Sequence, residues 1–235
     1  MESSKTKAIS KSKNEFQKHQ APPSSTVAAK KKQYRKLCFK EVVYTVGQTI
    51  LFRETDKTCV VGKLVRIIEE GGNPQHPKWP MIEVQWYYQR KDLDFKKLGI
   101  AQEDLIYIGD NEVFPTNHTD RIYVDCIVSP CQVFTIKEYD DLDNIDTYTF
   151  FTRANYNPMQ KVLEPSFKEW ETFCICSKPL NPNLLYIKCD ECSQWFHPSC
   201  MGLTDDEAQQ QEEFYCRPCQ GKRGGAGTNA GAGKA

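Results

Sequence analysis

Residues 173–219 read FCICSKPLNPNLLYIKCDECSQWFHPSCMGLTDDEAQQQEEFYCRPC. Seven of the chain's eleven cysteines lie here, together with His197. Cys174 and Cys176 are one residue apart, and twelve residues separate them from the pair Cys189 and Cys192. Four residues then lead to His197-x-x-Cys200, and fifteen more to Cys216-x-x-Cys219. Thiolates and imidazoles at such spacings are zinc ligands, and eight of them suffice for two tetrahedral ions. If both ions take four protein ligands, neither keeps a position for a reactive water, so the expected zinc is structural and not catalytic. A module of about fifty residues buries too little apolar surface to fold on its own, and metal binding then becomes folding free energy.

Outward from this stretch, the chain is polarised in charge. It is formally neutral over 235 residues. Residues 1–40 nevertheless hold eleven Lys/Arg against two Glu, a balance of +9. Residues 171–220 hold eight Asp/Glu against three Lys/Arg, a balance of −5. The first forty residues are rich in Lys, Ser, Gln and Pro and poor in apolar side chains, which predicts a disordered basic tail. Its cluster Lys30-Lys31-Lys32 with Arg35-Lys36 suits nuclear import or nonspecific contact with DNA phosphates; a solvated tail is the alternative. The last residues, 223–235, are Gly/Ala-rich and predict a flexible tail. No apolar run is long enough to span a bilayer and the N-terminus carries no apolar leader, so neither membrane insertion nor secretion is expected. In a reducing compartment, clustered cysteines are metal ligands more often than disulfides.

The intervening residues read as mainly β. Short apolar or alternating runs occur at 48–53 (QTILFR), 59–68 (CVVGKLVRII), 81–88 (MIEVQWYY), 105–108 (LIYI), 121–136 (RIYVDCIVSPCQVFTI) and 147–152 (TYTFFT). Glu69-Glu70-Gly71-Gly72-Asn73-Pro74 is a strong turn signal, and Pro130 predicts a bend or bulge in its run. Asp140–Asp146 predicts an acidic loop or a short helical piece. Strands with this punctuation imply a curved sheet or partial barrel. Cys38, Cys59, Cys126 and Cys131 lie outside the ligand pattern and are expected to be free.

The ligand order, four cysteines, one histidine and three cysteines, with Trp195 two residues before His197, resembles the plant homeodomain (PHD) finger, here spanning 171–222. A RING finger typically carries its histidine at the fourth ligand position, whereas here it is fifth. The resemblance implies a cross-brace. Cys174, Cys176, His197 and Cys200 hold one ion, and Cys189, Cys192, Cys216 and Cys219 hold the other. It also implies a ligand, the N-terminal part of a histone tail added as a β-strand. Phe173, Tyr186 and Trp195 match the positions at which such fingers cage a methylated lysine through cation–π attraction, worth about 2 kcal/mol when desolvated. Leu180 stands at a fourth cage position, which leaves the cage two- or three-sided. Leu185, Tyr186 and Ile187 supply the receiving edge, Asp190 meets an arginine of the tail, and carbonyls near Glu213 and Phe214 take its free amine. The alternative for Tyr186 and Trp195 is packing in the miniature core.

Residues 42–165 resemble a bromo-adjacent homology (BAH) domain. The resemblance is carried by Tyr44–Ile50, Val84–Tyr88, Glu103–Tyr107 and Asp125–Val128, in that order and directly ahead of the finger. The layout is similar to the small plant BAH–PHD chromatin readers of the early-bolting and short-life kind. Trp86 and Tyr88 fall on one face of their strand by alternation. In those relatives the pair helps cage a second methyl-lysine; in this chain His118 is expected in a loop that approaches the site. Here Cys59 or Val60 replaces an expected third aromatic. The alternatives are a core role for Trp86 and a BAH domain that binds a protein partner.

The expectation is therefore a nuclear, non-enzymatic chromatin reader. It would carry two zinc ions and bind a methylated histone tail within a chromatin-associated protein complex. Two rivals remain at this stage. A RING-like ubiquitin ligase predicts ubiquitin transfer in vitro. A nucleic-acid binder with the finger as scaffold predicts that loss of residues 1–40 abolishes chromatin association.

Overall fold

The computed structural model describes residues 34–68 and 80–224. The basic segment up to residue 33, the Glu69–Pro74 turn and the Gly/Ala tail beyond 224 lie outside the described residues. The strands run in chain order as β1 (Lys36–Phe39), β2 (Val42–Thr45), β3 (Thr49–Arg53), β4 (Cys59–Ile68), β5 (Met81–Gln89), β6 (Val113–Tyr123), β7 (Ile127–Pro130), β8 (Gln132–Thr135), β9 (Thr149–Thr152), β10 (Asn155–Asn157) and β11 (Val162–Glu164). Two short strands, β12 (Ile187–Lys188) and β13 (Trp195–Phe196), belong to the cysteine-rich part.

One seven-stranded sheet carries the first part, in the order β11-β10-β6-β5-β4-β3-β7. β3 is apolar on both faces because both are covered, whereas β4 exposes Lys63 and Arg66 on one face. Ile50 and Phe52 of β3 enter one core with Leu64, Ile82 and Val84. Leu51, between them, enters another with Val61, Val113 and Phe150. That is the period-2 alternation expected of a strand buried on both sides. At Gly62 the sheet and core close up. A Cβ there would lie 2.3 Å from Val84 Cγ1 and 2.9 Å from Phe52 Cε2, so only glycine fits.

Several segments differ from the sequence expectation. Residues 34–40 are not part of a disordered tail. β1 pairs antiparallel with β2, and Tyr34, Leu37 and Phe39 pack on the core. Three apolar side chains among the lysines were enough to order them. Leu105–Ile108 is not a strand. Gln102–Tyr107 forms a 3-10 helix whose first turn carries Glu103 and Asp104, the acidic start a helix favours. The run 121–136 divides among the end of β6, a 3-10 turn at Val124–Cys126, β7 and β8. Beyond Pro130 the chain leaves the large sheet, and β8 pairs in parallel with β9. The helix α1 (Phe95–Leu98) ends on Gly99. The helix α2 (Ile136–Asp140) starts at a capping box of Thr135 and Glu138 and buries Tyr139 against Phe151, ring centroids 4.7 Å apart.

The most consequential irregularity is in β6. Gln85 pairs with Thr119 and Tyr87 with Pro115, so Thr116, Asn117 and His118 together face Trp86. Bulges bend a strand and re-aim its side chains. Thr116 holds this one. Its hydroxyl donates to the Trp86 carbonyl (2.8 Å) and accepts from the His118 N–H (3.0 Å). Its carbonyl accepts from Gln85 Nε2 at 2.6 Å. His118, expected in a loop, is thus a strand residue turned by a bulge.

Gly62→Ala overfills a closed core and should lower stability by about 1–3 kcal/mol. Urea denaturation followed by tryptophan fluorescence measures the loss, and unchanged stability would contradict the close approach of β3, β4 and β5.

Candidate functional site

The cysteine-rich part is built around two ligand groups. Sγ and imidazole nitrogen atoms of Cys174, Cys176, His197 and Cys200 all lie within 4.8 Å of one another, as do the Sγ atoms of Cys189, Cys192, Cys216 and Cys219. The fit to zinc can be checked on distances. Ligand sulfurs at about 2.3 Å from a tetrahedral zinc lie about 3.8 Å from one another. Cys192 and Cys216 Sγ are 3.8 Å apart, and His197 Nδ1 is 3.4 Å from Cys176 Sγ and 3.8 Å from Cys200 Sγ. His197 therefore presents Nδ1 to the metal. Among the described residues its buried Nε2 has no hydrogen-bond partner, and the ring lies against Tyr186 and Tyr107, centroids 4.8 and 5.7 Å away.

The electrostatics also call for a cation. Burial works against charge on Cys189, but backbone N–H groups of Cys216, Cys192 and Glu191 bring its thiol down to about 6. Burial and the neighbouring Cys174 push Cys200 up to about 12. Cys216 and burial do the same to Cys219. Packed thiols cannot all ionise beside one another unless a divalent ion compensates them.

Little apolar core is needed around such centres. Ile187, Phe196, Ala208 and Phe214 supply it with the ligand cysteines, and Phe196 meets Phe214 edge-on at 6.3 Å. Three helices complete the part. α3 (Pro198–Met201) ends on Gly202 at φ +81°, a left-handed cap that favours glycine. α4 (Asp205–Gln210) begins at a Thr204–Glu207 capping box, and α5 (Arg217–Gly224) carries Cys219. β12 and β13 pair antiparallel, Ile187 opposite Phe196 and Lys188 opposite Trp195. Alternation then sends Phe196 inward and Trp195 outward: Phe196 is 2% exposed, Trp195 45%.

The other expected contact residues are distributed as follows. Phe173 is exposed and shares a cleft of about 250 Å³ with Leu180, Ile136, Trp170, Asp140 and Glu171. Tyr186 is half-buried. Its hydroxyl accepts from the Asn181 N–H at 3.0 Å, and burial raises its pKa. Lys188 Nζ sits 5.8 Å from the Trp195 ring. Ile187 is buried, so only its backbone can serve an incoming strand. Asp190 braces the final segment: its carboxylate accepts from Phe214 N (2.7 Å) and its N–H donates to Phe214 O (2.9 Å). Glu213 accepts from the Tyr215 hydroxyl at 3.0 Å.

A second site lies on the large sheet. Trp86, Tyr88 and His118 line one cavity of about 490 Å³. Val60 lines it where an aromatic was expected, and Ile122 and Cys126 add apolar wall. Trp86 is half-buried, edge-on to Phe52 at 5.4 Å, so the indole both packs on the core and borders the cavity. Asp120 organises the polar side. Its Oδ2 accepts from Trp86 Nε1 (2.9 Å) and lies 3.1 Å from His118 Nε2, while His118 Nδ1 is 3.2 Å from the Tyr88 hydroxyl. Burial, followed by Asp92, Tyr156 and Asp120, raises the Tyr88 pKa. The sequence reading missed Asp120. The spacing His118-x-Asp120 would have shown it, had 113–123 been read as a strand.

The two parts meet at Arg153, also unforeseen. Its side chain is 7% exposed and that of its partner Glu112 0%. Nε and Nη2 of Arg153 donate to the two Glu112 oxygens at 2.7 and 2.9 Å, and Gly109 N donates to Glu112 Oε2 at 2.9 Å. Nη2 also reaches the Tyr107 carbonyl (3.1 Å), Nη1 donates to the Leu180 carbonyl, and the guanidinium lies 4.2 Å from the Trp170 ring centre. Around it, Asn181 Nδ2 donates to Ile106 O (2.7 Å), Asp110 N to Asn183 Oδ1 (2.9 Å), and Lys178 pairs with Asp104 (2.5 Å).

Comparison with known proteins agrees with this geometry. Residues 42–166 match the BAH domain model and residues 174–219 the PHD-finger model. The chain is 32% identical over 195 residues to Chromatin remodeling protein SHL of Arabidopsis thaliana, covering 81% of this chain and 80% of that one. It is 27% identical over 179 residues to Chromatin remodeling protein EBS of the same plant, covering 75% and 70%. The finger alone is 43% identical over 47 residues to Nucleosome-remodeling factor subunit NURF301-like of Caenorhabditis elegans, 20% of this chain and 2% of that one. A PHD finger binds zinc, and the two Cys/His groups here provide for two ions.

Two measurements test the site. Metal analysis of the purified chain should find two zinc ions, and Cys216→Ser should reduce that number. Arg153→Met strands the buried Glu112 carboxylate and should cost about 3–5 kcal/mol in chemical denaturation.

Proposed function

This chain belongs to the family of chromatin proteins that join a BAH domain to a PHD finger, and from that premise we propose that it reads a methylated lysine near the N-terminus of a histone tail, in the nucleus and without catalysing a reaction. The observation that carries the reading is the exposure of Trp195. An indole in so small a module belongs in the core if packing is its purpose. Here Phe196 fills the core and Trp195 is turned out, 45% exposed, on a strand braced by both ligand groups. An exposed aromatic face on a rigid element attracts an alkylammonium through its quadrupole. Phe173 and Tyr186 are its expected companions, and the −5 balance of residues 171–220 suits a basic tail.

The tail adds to the edge of β12 as a further strand. Among the described residues β12 pairs only with β13, so its other edge is open to that addition. Asp190 and the Glu213–Phe214 carbonyls border the same strand end and receive the tail's arginine and terminal amine. The cavity at Trp86, Tyr88 and His118 takes a second methylated lysine, which makes the BAH domain a second reader. Because Arg153 and its neighbours fix the 178–183 loop to the BAH domain, the two sites keep a set spacing, and binding at one raises the effective concentration at the other.

Trp195→Ala should abolish binding of methylated histone peptides to the finger while both zinc ions stay bound. A modified-peptide array on the full chain, with metal analysis of the same sample, checks both. Retained methyl-peptide affinity in this variant would rule out Trp195 as a cage wall.

A further inference from the structure

On the reading of the finger as a methyl-lysine site, the tail's amine lies beside Asp190 and Phe214, past the C-terminal end of β12. The tail then runs antiparallel to β12. Beyond the methylated lysine it heads for Tyr186 and the 178–183 loop. Leu180 of that loop and Phe173 line a cleft of about 250 Å³. The rest of its lining comes from the BAH domain and from the Glu169–Glu171 segment that leads into the finger. Neither Tyr186 nor Trp195 lines it, so it lies beside the cage and not within it.

Three properties of the cleft define its occupant. Its walls are apolar, formed by Ile136, Pro165, Trp170, Phe173 and Leu180. Its rim is acidic. Asp140, Glu169 and Glu171 stand against Lys137, which pairs with Glu171 at 3.6 Å. Asp140 and Glu169 have no cationic partner among the described residues. Glu169 Oε2 accepts from the Ser166 N–H (2.9 Å) and hydroxyl (2.5 Å), which orients the carboxylate and leaves Oε1 open. The third property is a buried donor. Arg153 lines the cleft with a side chain 7% exposed, its charge matched by Glu112. Nε and Nη2 are taken by Glu112 and the Tyr107 carbonyl, and Nη1 donates once, to the Leu180 carbonyl. The second N–H of Nη1 therefore has no acceptor among the described residues, although a buried donor favours one. A lysine or arginine of a peptide satisfies all three. Its methylenes lie along the apolar wall, its cation reaches the rim, and the main chain beside it offers Arg153 a carbonyl. An acidic side chain is repelled by the rim, and an apolar one leaves the carboxylates without a partner. We propose, resting on the reading of the finger given above, that this cleft is a further subsite for the tail and takes a basic residue that follows the methylated lysine. The rim carboxylates are exposed, so solvent screens them and the gain in affinity is about three- to tenfold.

The test is calorimetry on the full chain with methylated histone-tail peptides that have a free N-terminus. The short peptide stops before the first basic residue past the methylated lysine. The long one continues through the next basic residues, and a third is the long one with those residues changed to alanine. Trp195→Ala gives the background from binding outside the finger. The long peptide should bind about three- to tenfold tighter than the other two, by a margin that shrinks with added salt. Asp140→Asn combined with Glu169→Gln should remove that margin and leave the short peptide's affinity unchanged, since glutamine keeps the acceptor for Ser166. Asp205→Asn combined with Asp206→Asn makes the same change in charge outside the cleft and should keep the margin. Equal affinity for the long and alanine peptides, or a margin that survives in the Asp140/Glu169 variant, overturns the subsite and leaves the cage reading intact. So does a margin lost equally in both double variants, which marks general attraction to an acidic surface. A short peptide that binds no better methylated than unmodified overturns both.

Discussion

The guanidinium of Arg153 is the point on which the arrangement of the finger against the BAH domain depends. Burying an ion pair costs several kcal/mol per charge, and the attraction between partners offsets this only when every remaining donor is satisfied. Arg153 has four of its five N–H groups taken. Glu112 takes two of its N–H groups, the Tyr107 and Leu180 carbonyls take others, and the Trp170 ring covers its face. These partners come from the start of β6, the preceding 3-10 helix, the segment before the finger and the finger itself. No apolar side chain could tie four such segments by direction. A lysine has no planar fork and could not do so either. The orientation of the finger's 178–183 loop is thus set from within the BAH domain.

The second constraint is geometric. A regular β6 would keep the period-2 pattern through Thr116–His118 and give Trp86 a single opposite neighbour. With three residues opposite it, the strand bends, Thr116 binds back to the Trp86 carbonyl, and the His118 imidazole reaches both Tyr88 and Asp120. One irregularity in hydrogen-bond pairing thereby converts a flat strand pair into one wall of a cavity. The polar chain Trp86–Asp120–His118–Tyr88 links the two aromatic walls to each other.

How much of this was legible in the sequence depended on how local the signal was. The zinc ligands were fully legible, because metal chemistry restricts residue type and the spacing is written in the chain. Trp86 and Tyr88 on one face followed from alternation, and the loss of a third aromatic at Cys59 or Val60 was visible as a departure from the BAH pattern, with Val60 the one that lines the cavity. β6 was not legible. Its PTNHTD segment is polar and contains a proline, so propensity opposes a strand, and only pairing with β5 imposes one. Leu105–Ile108 failed for the opposite reason, since four apolar residues look alike in a strand and in a 3-10 turn. Residues 34–40 were hidden by lysines whose side chains point out while Leu37 and Phe39 point in. The Arg153–Glu112 pair had no sequence signal at all: its members are forty-one residues apart and unremarkable in composition.

Metal and exposed aromatics are linked by more than coincidence. In a fifty-residue module without metal, every large ring has to be buried to offset chain entropy, and none is left for a ligand. Two four-ligand centres take over that task. They hold segments from Cys174 to Cys219 together with four buried apolar residues, Ile187, Phe196, Ala208 and Phe214, and Trp195 and Phe173 are released to the surface. The BAH domain solves the same problem differently. It has core enough to bury one edge of Trp86 on Phe52 and leave the other to the cavity. A site built on metal fails all at once when the metal is lost, whereas a site built on a sheet degrades with each packing defect. Joining them through a buried ion pair gives the chain two aromatic surfaces whose failure modes are independent but whose spacing is shared.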